Sequence, residues 1–246
     1  MCIRDSNKIH QFSVSFPYSI RTLTYDGAVL DFTGAVNSGL NFISFDAGGS
    51  GVAGGKFYIL ANGQDAHDKV YEYSGSSSSF SQQAKLFSSD ISSNDRFGSS
   101  MALDQDGNTL IVGAMTEGVS PNQGGSCYIF TRSGTTWTQQ AKLVKSSNNN
   151  NDEFGASVSI SNDGDIVVGM ARRDANPSVG PGKAYVFERS GTTWTQVNIF
   201  AGSNQTSSGY LGFEPPAMEI SGDGQTIIAG NHAHNNATGA AYIFVA

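Results

Sequence analysis

The sequence predicts an all-β fold of tandem four-stranded antiparallel units, and three observations predict it. Apolar residues come in short bursts bounded by Gly, Asn, Asp or Ser, the punctuation of brief strands and tight turns. No stretch spaces its apolar positions as a helix would. And the chain repeats itself: Arg132-Ser-Gly-Thr-Thr-Trp-Thr-Gln139 returns unchanged as Arg189 to Gln196, 57 residues later.

The same offset carries Phe97-Gly98 to Phe154-Gly155, Asp106-Gly107 to Asp163-Gly164, and Tyr128 and Phe130 to Tyr185 and Phe187. Backwards, Gln139 to Leu143 matches Gln82 to Leu86, Tyr71 and Tyr73 match Tyr128 and Phe130, and Phe80 stands in the place of Trp137. Forwards, Leu211-Gly212 takes the Phe-Gly place, and Tyr242 and Phe244 repeat Tyr185 and Phe187.

Within the clearest unit, Ser99 to Leu103 reads as the first strand, behind Phe97-Gly98. Asp106-Gly107 is a hairpin signal, because Gly accepts the positive φ of a tight turn. Thr109 to Ala114 is a second strand, almost wholly apolar and so buried on both faces between neighbouring sheets. Ser126 to Thr131 is a third, with Tyr128 and Phe130 on one face and Cys127 and Ile129 on the other. Ser133-Gly134 turns the chain into Trp137 to Leu143, a more polar outer strand.

Four strands per repeat of about 40–50 residues is the signature of a β-propeller blade. A unit of 57 places its excess in the loop Met115 to Gly125. The expectation is about four blades forming an incomplete ring. Thr22 to Tyr25 is the segment that would close it, if it lay beside Tyr242 to Val245.

These residues resemble the FG-GAP repeat family, known from integrin α-subunit propellers and many secreted proteins. The likeness rests on Phe97-Gly98, Asp106 to Ala114 and Cys127 to Phe130, then Phe154-Gly155, Asp163-Gly164, Val167 to Gly169 and Ala184 to Phe187. A third copy is Leu211-Gly212, Asp223-Gly224, Ile228 to Gly230 and Ala241 to Phe244. Residues 81–246 are read as repeats of this type and residues 7–80 as a divergent portion. In that portion Pro17 to Tyr25 and Phe57 to Leu60 look like another propeller repeat of bacterial surface proteins. Residues 1–6 fit neither and are read as a non-native leader. The resemblance implies an extracellular interaction or adhesion scaffold of a larger secreted or surface protein, without catalysis. A carbohydrate-binding propeller, or one attached to a secreted enzyme, is the alternative.

Charge narrows the partners. The formal net charge is −7 and Lys and Arg are nowhere clustered, so no nucleic-acid surface is expected. The apolar runs are strand-sized, and no membrane span is expected. Two cysteines, Cys2 and Cys127, make no disulfide framework.

Candidate site residues are sparse. Integrin-type repeats wrap a hard cation in a loop of the form Asp-x-Asp/Asn-x-Asp-Gly-x-x-Asp, and calcium wants six or more oxygens. Aligned on Asp-Gly, the candidates here are Asp104, Asp106, Asp163, Glu219 and Asp223, while Leu110, Val167 and Ile227 occupy the last ligand position. A plain Asp-Gly hairpin explains the same residues without metal. His232 and His234 could share a strand face, but no third ligand is evident nearby. Trp137 and Trp194 recur at one blade position and would either stack on sugars or pack the outer strand on the next blade. Asn204 and Asn236 head glycosylation triplets. No Gly-x-Ser-x-Gly elbow occurs, and the glycines from Gly48 to Gly55 lack the Lys-Ser/Thr of a phosphate loop. No catalytic residue and no cofactor is expected; the Asp-Gly loops are read as plain hairpins, with calcium as the alternative. The ligand, protein or glycan, would meet the long loops Met115 to Gly125 and Met170 to Gly182.

Overall fold

The structure, a computed structural model, describes residues 2–5, 8–11, 22–25, 28–31, 40–45, 56–61, 69–76, 79–92, 94–118, 124–146, 151–174, 182–202, 211, 218–231 and 239–245. All its regular elements are strands: β1 Cys2–Asp5, β2 Lys8–Gln11, β3 Thr22–Tyr25, β4 Ala28–Asp31, β5 Leu40–Phe45, β6 Lys56–Ala61, β7 Lys69–Ser76 and β8 Ser79–Leu86. Then come β9 Phe97–Leu103, β10 Thr109–Ala114, β11 Ser126–Ser133, β12 Thr136–Leu143, β13 Phe154–Ile160, β14 Ile166–Ala171, β15 Lys183–Ser190 and β16 Thr193–Phe200. The last are β17 Met218–Ile220, β18 Thr226–Asn231 and β19 Ala240–Val245.

They form antiparallel meanders β5 to β8, β9 to β12 and β13 to β16, a three-stranded sheet β17 to β19, and the hairpins β1–β2 and β3–β4. The four strands expected of the clearest unit are all present as β9 to β12, and β9 reaches back to include Phe97-Gly98. Strand β10 is buried at every position, as its apolar run requires.

Successive sheets share cores. The Tyr128 and Phe130 face of β11 clusters with Phe97, Leu110 and Val112 and with Val70 and Leu86 of the sheet before. The Cys127 and Ile129 face clusters with Phe154, Val158 and Tyr185 of the sheet after. The alternation read from the sequence therefore divides one strand between two inter-sheet cores. Each opening Phe sits edge-on to the Tyr of its own third strand, Phe97 with Tyr128 at 5.5 Å and Phe154 with Tyr185 at 5.7 Å.

The Phe-Gly pair also explains the closest approach between sheets. Gly155 has φ 91°, and its carbonyl accepts from Ser99 Oγ at 3.0 Å and Ser100 Oγ at 2.8 Å. A Cβ on Gly113 would stand 2.0 Å from that oxygen, so the two backbones touch there. The 57-residue offset pairs Gly113 with Met170 rather than with Gly169, the glycine of the matching motif. Gly169 instead makes room for the Phe154 ring, 2.5 Å from where its Cβ would lie.

Among the described residues the ring does not close: Thr22–Tyr25 pairs with Ala28–Asp31, and the one strand beside β19 is β18. The outer face of the last sheet bares Ile228, Ile243 and Val245, 45%, 65% and 71% exposed. Their counterparts one repeat earlier, Val168, Val186 and Glu188, include two buried valines.

Candidate functional site

The ladders bring Phe97, Ala114, Ser126 and Leu143 side by side at one end of their sheet. The long loop between β10 and β11 and the linkers before β9 and after β12 therefore emerge together. The next sheet repeats the arrangement with the loop after Ala171 and the linker after Phe200.

A polar network braces this loop end. Tyr128 donates its hydroxyl to Asp90 Oδ1 at 3.1 Å. Lys142 Nζ reaches Asp90 Oδ2 at 2.7 Å and Glu117 Oε1 at 2.8 Å, and lies over the Tyr128 ring. Glu117 also accepts from Ser126 Oγ. Burial pushes the Tyr128 hydroxyl up, so it stays a donor. Burial opposes the charge of Lys142, but its bonds to Asp90 and Glu117 outweigh that and hold the ammonium above its usual range. Burial likewise pushes Asp90 up, yet the bonds from Lys142 and Ser88 prevail and keep its carboxyl low. Asp95 goes the other way: desolvation raises it against the Ser92 backbone N–H it accepts.

The next unit rebuilds the network with the cation moved. Tyr185 donates to Asp174, which also receives Lys183 Nζ at 3.0 Å and Lys145 Nζ at 3.4 Å. Lys145 pairs with Asp152 as well, and the side chains of Lys145, Asp152 and Asp174 are at most 4% exposed. By the 57-residue offset, Glu117 becomes Asp174, Asp95 becomes Asp152 and Ser88 becomes Lys145, while Lys142 becomes Ile199. The charge has passed from an outer strand to a linker. These groups donate to and accept from one another, so their chemistry is to anchor the loop bases. Sequence reasoning missed them, although an acid 11 residues before each Tyr, Glu117 and Asp174, was there to be read.

The calcium candidates lie at the opposite end, in the first hairpin of each unit. Asp104 Oδ1 accepts the Asn108 N–H at 2.7 Å, and Gly107 turns at φ 67°. Asp163 accepts from Ser161 Oγ at 2.6 Å and from the Asp165 N–H at 3.0 Å. Asp223 does the same with Ser221 and Gln225. Those hydroxyl and backbone bonds hold both carboxyls below the usual range. Asp106 is exposed, and Glu219 accepts from Ser159 Oγ at 3.1 Å. The oxygens serve turn closure, which fits a calcium shell poorly. Among the described residues no three His, Cys, Asp or Glu side chains gather as a metal site. His232, His234, Asn204, Asn236, Gly48 to Gly55 and the tips of both long loops lie outside the described residues.

Trp137 and Trp194 pack, but on the preceding sheet rather than the next. Trp137 Nε1 donates to buried Glu72 Oε2 at 2.8 Å, and Trp194 Nε1 to Gln140 Oε1 at 2.8 Å. Each ring carries its cross-strand arginine, Arg132 at 5.4 Å and Arg189 at 5.5 Å. Both indoles stay half-buried, because an outer strand has a sheet on one side only.

Stacked four-stranded antiparallel sheets joined through shared cores define a β-propeller. Residues 80–130 and 137–187 match the FG-GAP repeat. A search of the curated proteins finds no sequence relative. Among solved structures, the periplasmic gluconolactonase of Pseudomonas aeruginosa is 16% identical with a TM-score of 0.50, covering 77% of this chain and 50% of its own. This chain thus spans half the length of that protein, and the likeness shows the fold. A putative 6-phosphogluconolactonase from Bacteroides uniformis is 8% identical with a TM-score of 0.46, covering 91% of this chain and 73% of its own. An ancestral GH74 enzyme is 14% identical with a TM-score of 0.48, covering 91% of this chain and 30% of its own.

Proposed function

We propose that this chain is a binding module, without catalysis, of a larger secreted or cell-surface protein, and that its ligand meets the loop end of the sheets. The observation that carries this is the doubled polar network. Two units place unrelated cations, Lys142 and Lys145, under corresponding loops and reach the same result, a fixed loop base. Rigid bases under long loops are how scaffolds present variable contact surfaces at low entropic cost. The FG-GAP repeats support the reading, since the family is defined by blade architecture and carries adhesion surfaces in integrin α subunits. The tryptophans do not favour sugar stacking, because each indole N–H and one ring face are already occupied.

The test is to replace residues 118–124 and 175–181 separately with short Gly-Ser turns, leaving Glu117 and Asp174 in place. The chain and both variants are then immobilised and exposed to host extracellular extract and to a glycan array. Loss of capture by either variant with an unchanged melting temperature is expected. Capture that survives both replacements would refute a loop-end site.

A further inference from the structure

One ion pair of the second unit is sealed from water. Lys145 follows β12 and Asp152 precedes β13, so the pair spans the passage from one sheet to the next. Leu143, two residues before the lysine, and Phe154, two after the aspartate, both belong to the core those sheets share. Their anchoring carries the two charged side chains inward, to 0% and 4% exposure. Lys145 Nζ donates to Asp152 Oδ2, lies 3.4 Å from Asp174 Oδ2 and stands over the Tyr185 ring at 5.5 Å.

Taking an ammonium and a carboxylate out of water is expensive, and their mutual attraction has to offset the loss of both hydration shells. Joining them as an amide abolishes both charges and frees a water molecule. In solvent the hydration of the ions opposes that condensation; inside the sheet junction the opposition is gone. The reacting groups are already in contact, so no encounter has to be found. A second carboxylate is placed to carry protons. Asp174 is near Nζ and is itself held by the Tyr185 hydroxyl and by Lys183 Nζ at 3.0 Å. The first unit is the internal contrast: its Lys142 is 29% exposed and its Asp90 45%, so that pair keeps its water.

We propose that Lys145 and Asp152 condense in the folded chain to an amide between Nζ and Cγ, with Asp174 carrying the protons. The ion pair is the reactant state. Lys145 Nζ passes a proton to Asp174 and attacks Asp152 Cγ, forming the C–N bond, and the bond from Cγ to one Asp152 oxygen breaks. Two of the three ammonium protons end, by way of Asp174, on that oxygen, which leaves as water. The nitrogen keeps the third proton and the two charges cancel. Nothing is oxidised or reduced, so no co-reactant is required. The product is a covalent staple across the linker from β12 to β13, a second path of bonds between two sheets. The chain modifies itself once and acts on no outside substrate. The staple does not depend on what the loops bind.

The experiment is the intact mass of the whole chain, folded and then denatured, followed by tryptic mapping. A mass one water below that of the sequence is expected. Trypsin should fail to cut after Lys145 and should release Leu143 to Arg172 as one peptide, itself one water light, with fragmentation tying Lys145 to Asp152. Lys145→Arg keeps the charge without the attacking amine, and Asp174→Asn keeps the shape without the proton carrier. Each variant should show its full mass, whereas Lys142→Arg should still lose the water. The proposal is overturned by a full mass for the unsubstituted chain, by a water loss that persists in Lys145→Arg, or by a cross-link from Lys145 to Asp174 instead of Asp152. Water loss in Asp174→Asn would overturn the part given to Asp174. The mass of the unsubstituted chain decides the amide even where a variant fails to fold.

Discussion

Gly113→Ala puts the sheet-to-sheet contact to the test. The new Cβ would stand 2.0 Å from the Gly155 carbonyl oxygen, 2.9 Å from its carbon and 2.6 Å from Ser100 Oγ. Carbon and oxygen approach no closer than about 3.3 Å even in favourable C–H···O contacts. The two backbones must therefore separate by over 1 Å. Overpacking of this kind costs about 1–3 kcal/mol or more. The separation also strains the two serine hydroxyl bonds to Gly155, each contributing about 0.5–1.5 kcal/mol. Against this, alanine in a strand gains about 0.5–1 kcal/mol over glycine through reduced unfolded-state entropy. The net expectation is a loss of about 2–4 kcal/mol, a large share of a typical domain stability of about 5–15 kcal/mol. Urea unfolding followed by tryptophan fluorescence reads it as a lowered midpoint at constant slope. Gly134→Ala is the companion variant: nothing lies within 4 Å of its Cβ, but φ is 62°, so only backbone strain of about 1–2 kcal/mol applies. If Gly113→Ala costs no more than Gly134→Ala, the backbones are not in contact as described.

Trp137→Phe should destabilise by about 1–3 kcal/mol and exceed Trp194→Phe, because it strips a donor from the 1%-exposed Glu72 rather than from half-exposed Gln140; urea midpoints of the two variants decide this. Lys145→Met should cost about 3–5 kcal/mol by leaving the Asp152 and Asp174 carboxylates short of their buried cation, and a loss under about 1 kcal/mol would show that Lys183 suffices for both. Asp90 and Asp163 titrate lower folded than unfolded, so their stabilisation is present above the ordinary carboxylate range and is lost as pH falls through their folded values; raised Asp95 gives an opposing rise as pH falls. Asp90→Asn should therefore flatten the acid limb of melting temperature against pH, and an unchanged limb counts against its role. Millimolar calcium should leave the melting temperature unmoved, and a rise of several degrees that chelator reverses would restore the cation loops.

Much of the architecture is legible in the sequence because the repeat multiplies weak local signals. The run Thr109–Ala114 and the alternation through Tyr128 and Phe130 speak to burial directly, and both are found buried as read. What pattern cannot supply is the identity of a neighbour. The indoles of Trp137 and Trp194 look equivalent in sequence, yet one meets a carboxylate from β7 and the other an amide from β12. The offset of Met170 against Gly113 is hidden by the glycine one place earlier, since only ladder register fixes which residue faces the next sheet. The loop-end network escaped because its cation changes both element and side-chain position between units, so no single column of the repeat holds it.

The inequality of the junctions bears on how such a chain avoids confusing its own parts. Residues 132–139 and 189–196 are identical, and near-identical repeats invite exchange of one unit for another during folding. At one junction Gly155 opens onto Gly113; at the following one the place of Gly113 is held by Met170, fully buried, with Leu211 in its cluster in the Phe position. A sheet arriving on the wrong neighbour would drive Met170 into a contact sized for a bare backbone, or leave a void where Met170 belongs. Each junction thus works as a keyed coupling that accepts its own successor and rejects its near-twin.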